Sequence, residues 1–110
     1  MALLTKLWTN TDPTAAFDAQ TISLDLREYE AVLITVRAGR TDGQYWSGFC
    51  FKDDSSVFAS ISSKLVSSTD VHSRGAKMTD SGVEFSTGYK GSTSGTNLAI
   101  PIYIFGVNIR

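Results

Sequence analysis

Residues 98–109, LAIPIYIFGVNI, constrain the fold more than any other part of this chain. Side chains of a β-strand alternate between two faces, and here both alternating sets are mainly apolar. One set is Leu98, Ile100, Ile102 and Ile104, and the other includes Tyr103 and Phe105. The pattern predicts a strand that needs cover on both faces. It is either a central core strand or a strand whose second face meets another subunit.

Pro101 lies inside this stretch and cannot donate a hydrogen bond to a neighbouring strand. We therefore expect residues 98–105 to form an edge strand or to contain a bulge, with cover from a neighbouring subunit. One face should pack inside the domain, and the other, Tyr103 and Phe105 foremost, should lie near a subunit boundary. Trp8 is a further candidate for the core or for a subunit contact.

Short apolar or alternating segments recur along the rest of the chain and are separated by turn residues. Residues 31–36 are almost continuously apolar and predict a central strand, and Asp-Gly at 42–43 predicts a hairpin turn. We expect one helical turn at most, in residues 15–20, and a loop at 88–96. The predicted fold class is all-β, an antiparallel, jelly-roll-like β-sandwich of about eight strands, in a single domain of residues 1–110.

Charge and hydropathy exclude several classes of partner. Lys and Arg number 10 and Asp and Glu 11, so no basic face for nucleic acid is expected. No apolar run reaches the roughly 18 residues of a membrane-spanning helix, so no membrane partner is expected. Cys50 is a lone cysteine within an apolar run and is expected to be buried, which suits assembly in a reducing cytoplasm.

Residues with catalytic chemistry are sparse. His72 is the single histidine, and we expect it to be half-exposed on a strand beside Arg74. No cluster of histidine and cysteine suggests a metal, and no motif suggests a cofactor, so no catalytic or metal-binding residue is assigned. A small hydrolase is a remote alternative that would need His72 or a carboxylate pair drawn from Asp25, Glu28, Glu30 and Glu84.

Aromatic residues offer a candidate ligand site. Tyr45, Trp46 and Tyr89 could stack on a sugar, while Asp42 and Lys90 supply hydrogen bonds. In the alternative interpretation, Trp46 and Phe49 belong to the core and Tyr45 covers it.

Two segments resemble a known family. They read LWTN at 7–10, followed by Pro13, Phe17, AQTISLDL at 19–26, Tyr29 and AVLI at 31–34, and IPIYIFGV at 100–107, which fits an Ile-Pro-x-x-Ile-x-Gly ending. In this pattern the chain resembles tail-fibre and minor structural proteins of phages and prophages of Gram-positive bacteria. The likeness covers about the first third and the last tenth of the chain, and the segment 37–95 has no counterpart.

The resemblance implies a non-enzymatic virion protein in a tail fibre, baseplate or head fibre, assembled in the bacterial cytoplasm. It would contribute to particle structure or host attachment as a homo-oligomer, a trimer being favoured, in contact with other virion proteins. The alternative function is a module that binds glycans of the host cell surface through Tyr45, Trp46 and Tyr89.

Overall fold

The computed structural model describes residues 3–41, 43–52, 58–64 and 71–108. The sequence also predicts turns at 53–56 (DDSS) and 67–70 (SSTD), which lie outside these ranges, as does the candidate ligand residue Asp42. Nine strands are present in the described ranges: β1 (Leu4–Thr9), β2 (Gln20–Ser23), β3 (Ala31–Arg37), β4 (Tyr45–Phe51), β5 (Ala59–Lys64), β6 (Val71–Thr79), β7 (Gly82–Lys90), β8 (Thr93–Gly95) and β9 (Ile100–Val107).

The strands form two packed antiparallel sheets. The front sheet has the order β1-β9-β3-β4, and the back sheet has the order β2-β7-β6-β5, with β8 paired to β7. The prediction of an antiparallel all-β sandwich is therefore confirmed, with one strand more than expected. β3 lies between β9 and β4, as the apolar run at 31–36 predicts.

The core lies between the sheets and is built from the inward residues of both. Val32, Ile34 and Val36 on β3 have no exposed surface, and they face residues such as Met78 and Phe85 of the back sheet. Phe17 joins this core through edge-on contacts with the rings of Trp8 and Phe85, with centroids 6.1 and 5.5 Å apart. The core thus uses one face of each sheet, and the outer faces remain.

β9 occupies the middle of the front sheet and is bulged at its start. Thr35 pairs with Tyr103 but Val36 pairs with Pro101, so Ile102 is an extra residue in the ladder. Asn10 completes the hydrogen bonding there, because its backbone N–H donates to Ile102 O and its side-chain amide donates to Pro101 O, both at 2.8 Å. The bulge expected from Pro101 is confirmed, and the edge position is wrong.

Residues 15–20, for which the sequence allows one helical turn at most, are irregular, and the N–H of Phe17 donates a hydrogen bond to Thr96 O. The loop expected at 88–96 is wrong. Residues 88–96 are a hairpin rather than a loop, with β7 and β8 paired from Gly88–Gly95 to Lys90–Thr93. Gly91, at φ +60°, makes the tight turn between them.

Candidate interaction surface

The outer face of the front sheet carries three rows of side chains that run across all four strands. The pairing registers place Phe51, Ala31, Val107 and Leu4 in the first row, Phe49, Leu33, Phe105 and Lys6 in the second, and Ser47, Thr35, Tyr103 and Thr9 in the third. Members of a row lie side by side on neighbouring strands. We call these twelve residues, together with Leu3, Arg37 and Tyr45 at the margins, the apolar face.

Much of the apolar face is open to solvent. Phe49 and Phe51 on β4 are 55% and 58% exposed, Tyr45 is 59% exposed, and Leu3 is 64% exposed. The floor between the outer strands is only partly covered, and it includes the half-buried Leu33. Such a concentration of large apolar side chains on one sheet face is typical of a surface that contacts another molecule.

Two cations lie on this face, and both contact its rings. The Lys6 ammonium is 4.5 Å from the centroid of the Tyr103 ring and 5.9 Å from that of Phe105. The Arg37 guanidinium lies 5.8 Å from the centroid of the Tyr45 ring and donates a hydrogen bond to the Tyr45 hydroxyl at 3.2 Å. Since the named residues of the face include no carboxylate, its charge is positive.

The outer face of the back sheet is mainly polar, with Val71 and Tyr89 as its exposed large apolar side chains in the described residues. One of its rows contains Thr21, Glu84 and Lys77, and another pairs Ser62 with Ser73. These polar side chains suit a face that remains in water, as in most antiparallel sheets with one solvated side. The two outer faces therefore differ, and the apolar one is the candidate interaction surface.

The predicted subunit-contact residues divide between the two sides of the front sheet. Tyr103 and Phe105 lie on the apolar face, half-buried, with their ring centroids 5.9 Å apart. Trp8 lies on the other side, where it packs edge-on against the buried Phe17. The structure thus brings Tyr103 and Phe105 together and places Trp8 against the core.

The predicted ligand residues do not meet at one site. Tyr45 is on the outer face of the front sheet, whereas Tyr89, opposite Ser73, is on the outer face of the back sheet. Trp46 follows Tyr45 on β4 and so points to the other side, towards Ser62, Ser63 and Val71 at the edge of the back sheet. Its indole N–H donates to the Gln44 side chain at 2.9 Å.

Lys90 ends β7 and is exposed at the β7–β8 hairpin, in register with His72. It therefore lies at the rim of the back sheet, on another sheet from Tyr45.

The interpretation that places Trp46 and Phe49 in the core is wrong. Phe49 is 55% exposed because the inward positions beside it on β4 are taken by Gly48 and Cys50. Trp46 shares the side of Gly48 and Cys50 but lies at the edge of the back sheet, where it is 52% exposed. Gly48 leaves room for Ile61 of the back sheet, to which a Cβ would come within 3.0 Å. The prediction that Cys50 is buried, combined with the alternation of a strand, places Phe49 and Phe51 together on the outer face.

Cys50 is buried, as predicted. Its thiol donates a weak hydrogen bond to Ala76 O at 3.6 Å, and burial raises its pKa above the usual value. The thiol is thus held in the less nucleophilic protonated form.

His72 and Arg74 both point into the sandwich, which corrects the expectation of a half-exposed histidine. His72 is 4% exposed, and its Nδ1 is 2.7 Å from Ala38 O. Arg74 has no exposed surface and donates to the carbonyls of Ser86, Leu98 and Ala99 at 2.7–2.8 Å. Burial lowers the pKa of its guanidinium to about 10.

An exposed ion pair lines a shallow depression at the end of β2. Arg27 donates to both oxygens of Asp25 at 2.9 Å, and these bonds lower the pKa of Asp25 to about 2. Asp25 is therefore ionised and unsuited to act as a general acid near neutral pH.

Within the described ranges, no three His, Cys, Asp or Glu side chains group to hold a metal ion. The same residues contain no helix that could span a membrane.

Comparisons of the chain with protein-family models, with curated proteins and with solved structures found no match.

Proposed function

We propose that this protein is a non-enzymatic structural module that assembles with further copies of itself through the apolar face. The observation that carries the proposal is the difference between the two outer faces. In a monomer, the large side chains of Phe49, Phe51 and Tyr45 stay in contact with water on one sheet, which is unfavourable. A subunit of an oligomer buries such a surface on assembly.

The particle in which it works is a phage or prophage virion, as the resemblance of residues 7–34 and 100–107 to tail-fibre and minor structural proteins implies. There it would form part of a tail fibre, baseplate or head fibre and contribute to structure or host attachment. A homo-oligomer is expected, the trimer being the form that the resemblance favours. The genes beside its own test this assignment: tail or capsid genes support it, and a metabolic operon contradicts it.

Sedimentation velocity of the full chain in the micromolar range tests the assembly. We expect species larger than a monomer, and we expect Phe51→Ser to shift them towards the monomer because it removes an exposed ring from the apolar face. Tyr89→Ser is the matched control, since it removes an aromatic ring that is 40% exposed on the other sheet. A wild-type chain that sediments as a monomer throughout contradicts the proposal.

Glycan binding is the second candidate function, and the exposed Trp46 is the observation that favours it. Its indole lies beside Ser62 and Gln44, a combination of a flat apolar surface with polar groups that suits a sugar ring. On an array of bacterial surface glycans, we expect Trp46→Ala to lose binding and Tyr89→Ala to retain it. Binding that survives Trp46→Ala excludes this residue as the platform.

A further inference from the structure

We propose that the occupant of the apolar face is a second copy of this chain, packed face to face about a two-fold axis that runs parallel to the strands between β9 and β3. The inference rests on the proposed function in one respect, namely that copies of this chain cover the face. It adds the symmetry of the contact and the residues that meet across it, and it makes a dimer, rather than the trimer that the resemblance favours, the unit formed through this face.

The area is near what such a contact needs. Side chains of this size bury about 150–250 Å² each, so the exposed fractions of the apolar face correspond to roughly 600 Å² per copy. A specific interface buries about 800 Å² per partner, and the largest patches on monomers reach about 300–600 Å². The whole face is thus somewhat smaller than a standard interface, so the contact has to cover all of it rather than one margin.

The rows of the face determine which residues would meet. A two-fold axis parallel to the strands keeps each row opposite itself and reverses the strand order, so that β1 faces β4 and β9 faces β3 of the other copy. In the first row, Phe51 then meets Leu4, whereas Ala31 and Val107 are already buried within their own copy. In the third row, Tyr103 meets Thr35.

Sizes across this contact are complementary. The outward residues of β3 are smaller than those of β9 in every row, as Ala31 is beside Val107 and Leu33 beside Phe105. Because the axis lies between these two strands, Phe105 faces Leu33 and Tyr103 faces Thr35 of the other copy, a larger side chain against a smaller one each time. Packed sheets interdigitate in this way when large and small residues alternate across the interface.

Charge distinguishes this axis from the other simple arrangement. In the second row, Lys6 lies at one end and Phe49 at the other. The proposed axis brings the Lys6 ammonium to the Phe49 ring of the other copy, where a cation–π contact is favourable. An axis perpendicular to the strands through the same row would place Lys6 against Lys6, and like charges at an interface are unfavourable.

The contact can be tested with two opposite charges at one position. Phe49→Glu and Phe49→Lys both place a charge on a side chain that is already 55% exposed, so the fold should tolerate either. Within one copy, Phe49 and Lys6 are three strands apart, roughly 14 Å at the usual strand spacing, so they hardly interact. In the proposed dimer, the carboxylate introduced by Phe49→Glu would face the Lys6 ammonium, whereas Phe49→Lys would set two ammonium groups against each other.

Sedimentation equilibrium measures the dissociation constant of the wild type, of Phe49→Glu and of Phe49→Lys. It is repeated for both Phe49 variants in a chain that also carries Lys6→Glu. We expect a wild-type dimer, and a dissociation constant at least about tenfold weaker for Phe49→Lys than for Phe49→Glu. In the Lys6→Glu background the order should reverse, because the facing charge has reversed.

A trimer, or a dimer that responds equally to both charges, overturns this contact while the proposed assembly stands. A wild-type chain that remains a monomer overturns both the two-fold contact and the proposed assembly. The same holds if the monomer binds a different protein through this face. Circular dichroism of each variant shows whether a loss of association reflects unfolding instead.

Discussion

Arg74 is a buried cation whose hydrogen bonds, within the described part of the chain, all go to backbone carbonyls. Its Nε donates to Ala99 O and its two terminal nitrogens to Leu98 O and Ser86 O, which matches the planar fork of a guanidinium. The Phe17 ring lies 5.2 Å from the guanidinium carbon and covers one side of it. These contacts hold Ala99 in the left-handed conformation, at φ 50°, that turns the chain into β9.

We expect Arg74→Met to lower the free energy of unfolding by about 3 kcal/mol, because buried carbonyls of Leu98 and Ala99 lose their donors. Lys77→Met on the outer face of the same strand is the control and should change it by less than about 0.5 kcal/mol. Urea denaturation measures both. Equal stability of Arg74→Met and wild type would mean that relief of the buried charge offsets the lost hydrogen bonds.

At the scale of elements, β7 shows how close packing determines one residue. Gly88 passes directly beneath Leu98, where an added Cβ would lie 2.1 Å from Leu98 O. That carbonyl cannot move away easily, since it accepts a hydrogen bond from Arg74 at 2.8 Å. The hairpin β7–β8 and the turn into β9 are therefore joined through a glycine and an arginine.

We expect Gly88→Ala to destabilise the protein by about 2–4 kcal/mol, in the range for overpacking that forces backbone to shift. The control is Gly95→Ala, since Gly95 is the cross-strand partner of Gly88 and a Cβ there would make only ordinary contact with Leu98 at 3.7 Å. Thermal unfolding of the two variants compares them at one place in the hairpin. A loss no larger for Gly88→Ala than for Gly95→Ala would contradict the role of the Leu98 contact.

Across the whole molecule, two sheets enclose one core and leave outer faces of different character. The back sheet presents Thr21, Glu84 and Lys77 to water, and the front sheet presents aromatic and aliphatic rows. A 110-residue chain buries its core well enough with one face of each sheet. The second apolar face is then available for assembly, and the self-association experiments bear on it at this scale.

Sequence alone determined the all-β class, because alternation and turn residues act locally. The apolar run at 31–36 predicts a central strand, which the structure has as Ala31–Arg37, and the bulge at Pro101 follows from a missing N–H. The opposite directions of Tyr45 and Trp46 were also open to prediction, since adjacent residues on a strand face opposite ways.

Only the tertiary structure decided which face of each strand is inside. Alternation divides a strand into two sets of residues but does not say which set meets the other sheet. For β4, Gly48 and Cys50 face the core because Ile61 and Ala76 of the back sheet fill the space above them, and Phe49 and Phe51 are left outside. For β9, the neighbours β1 and β3 placed Tyr103 and Phe105 on the open face. The apolar face exists because all four strands of the front sheet direct apolar side chains to the same outer side. This common orientation depends on contacts between residues far apart in the chain.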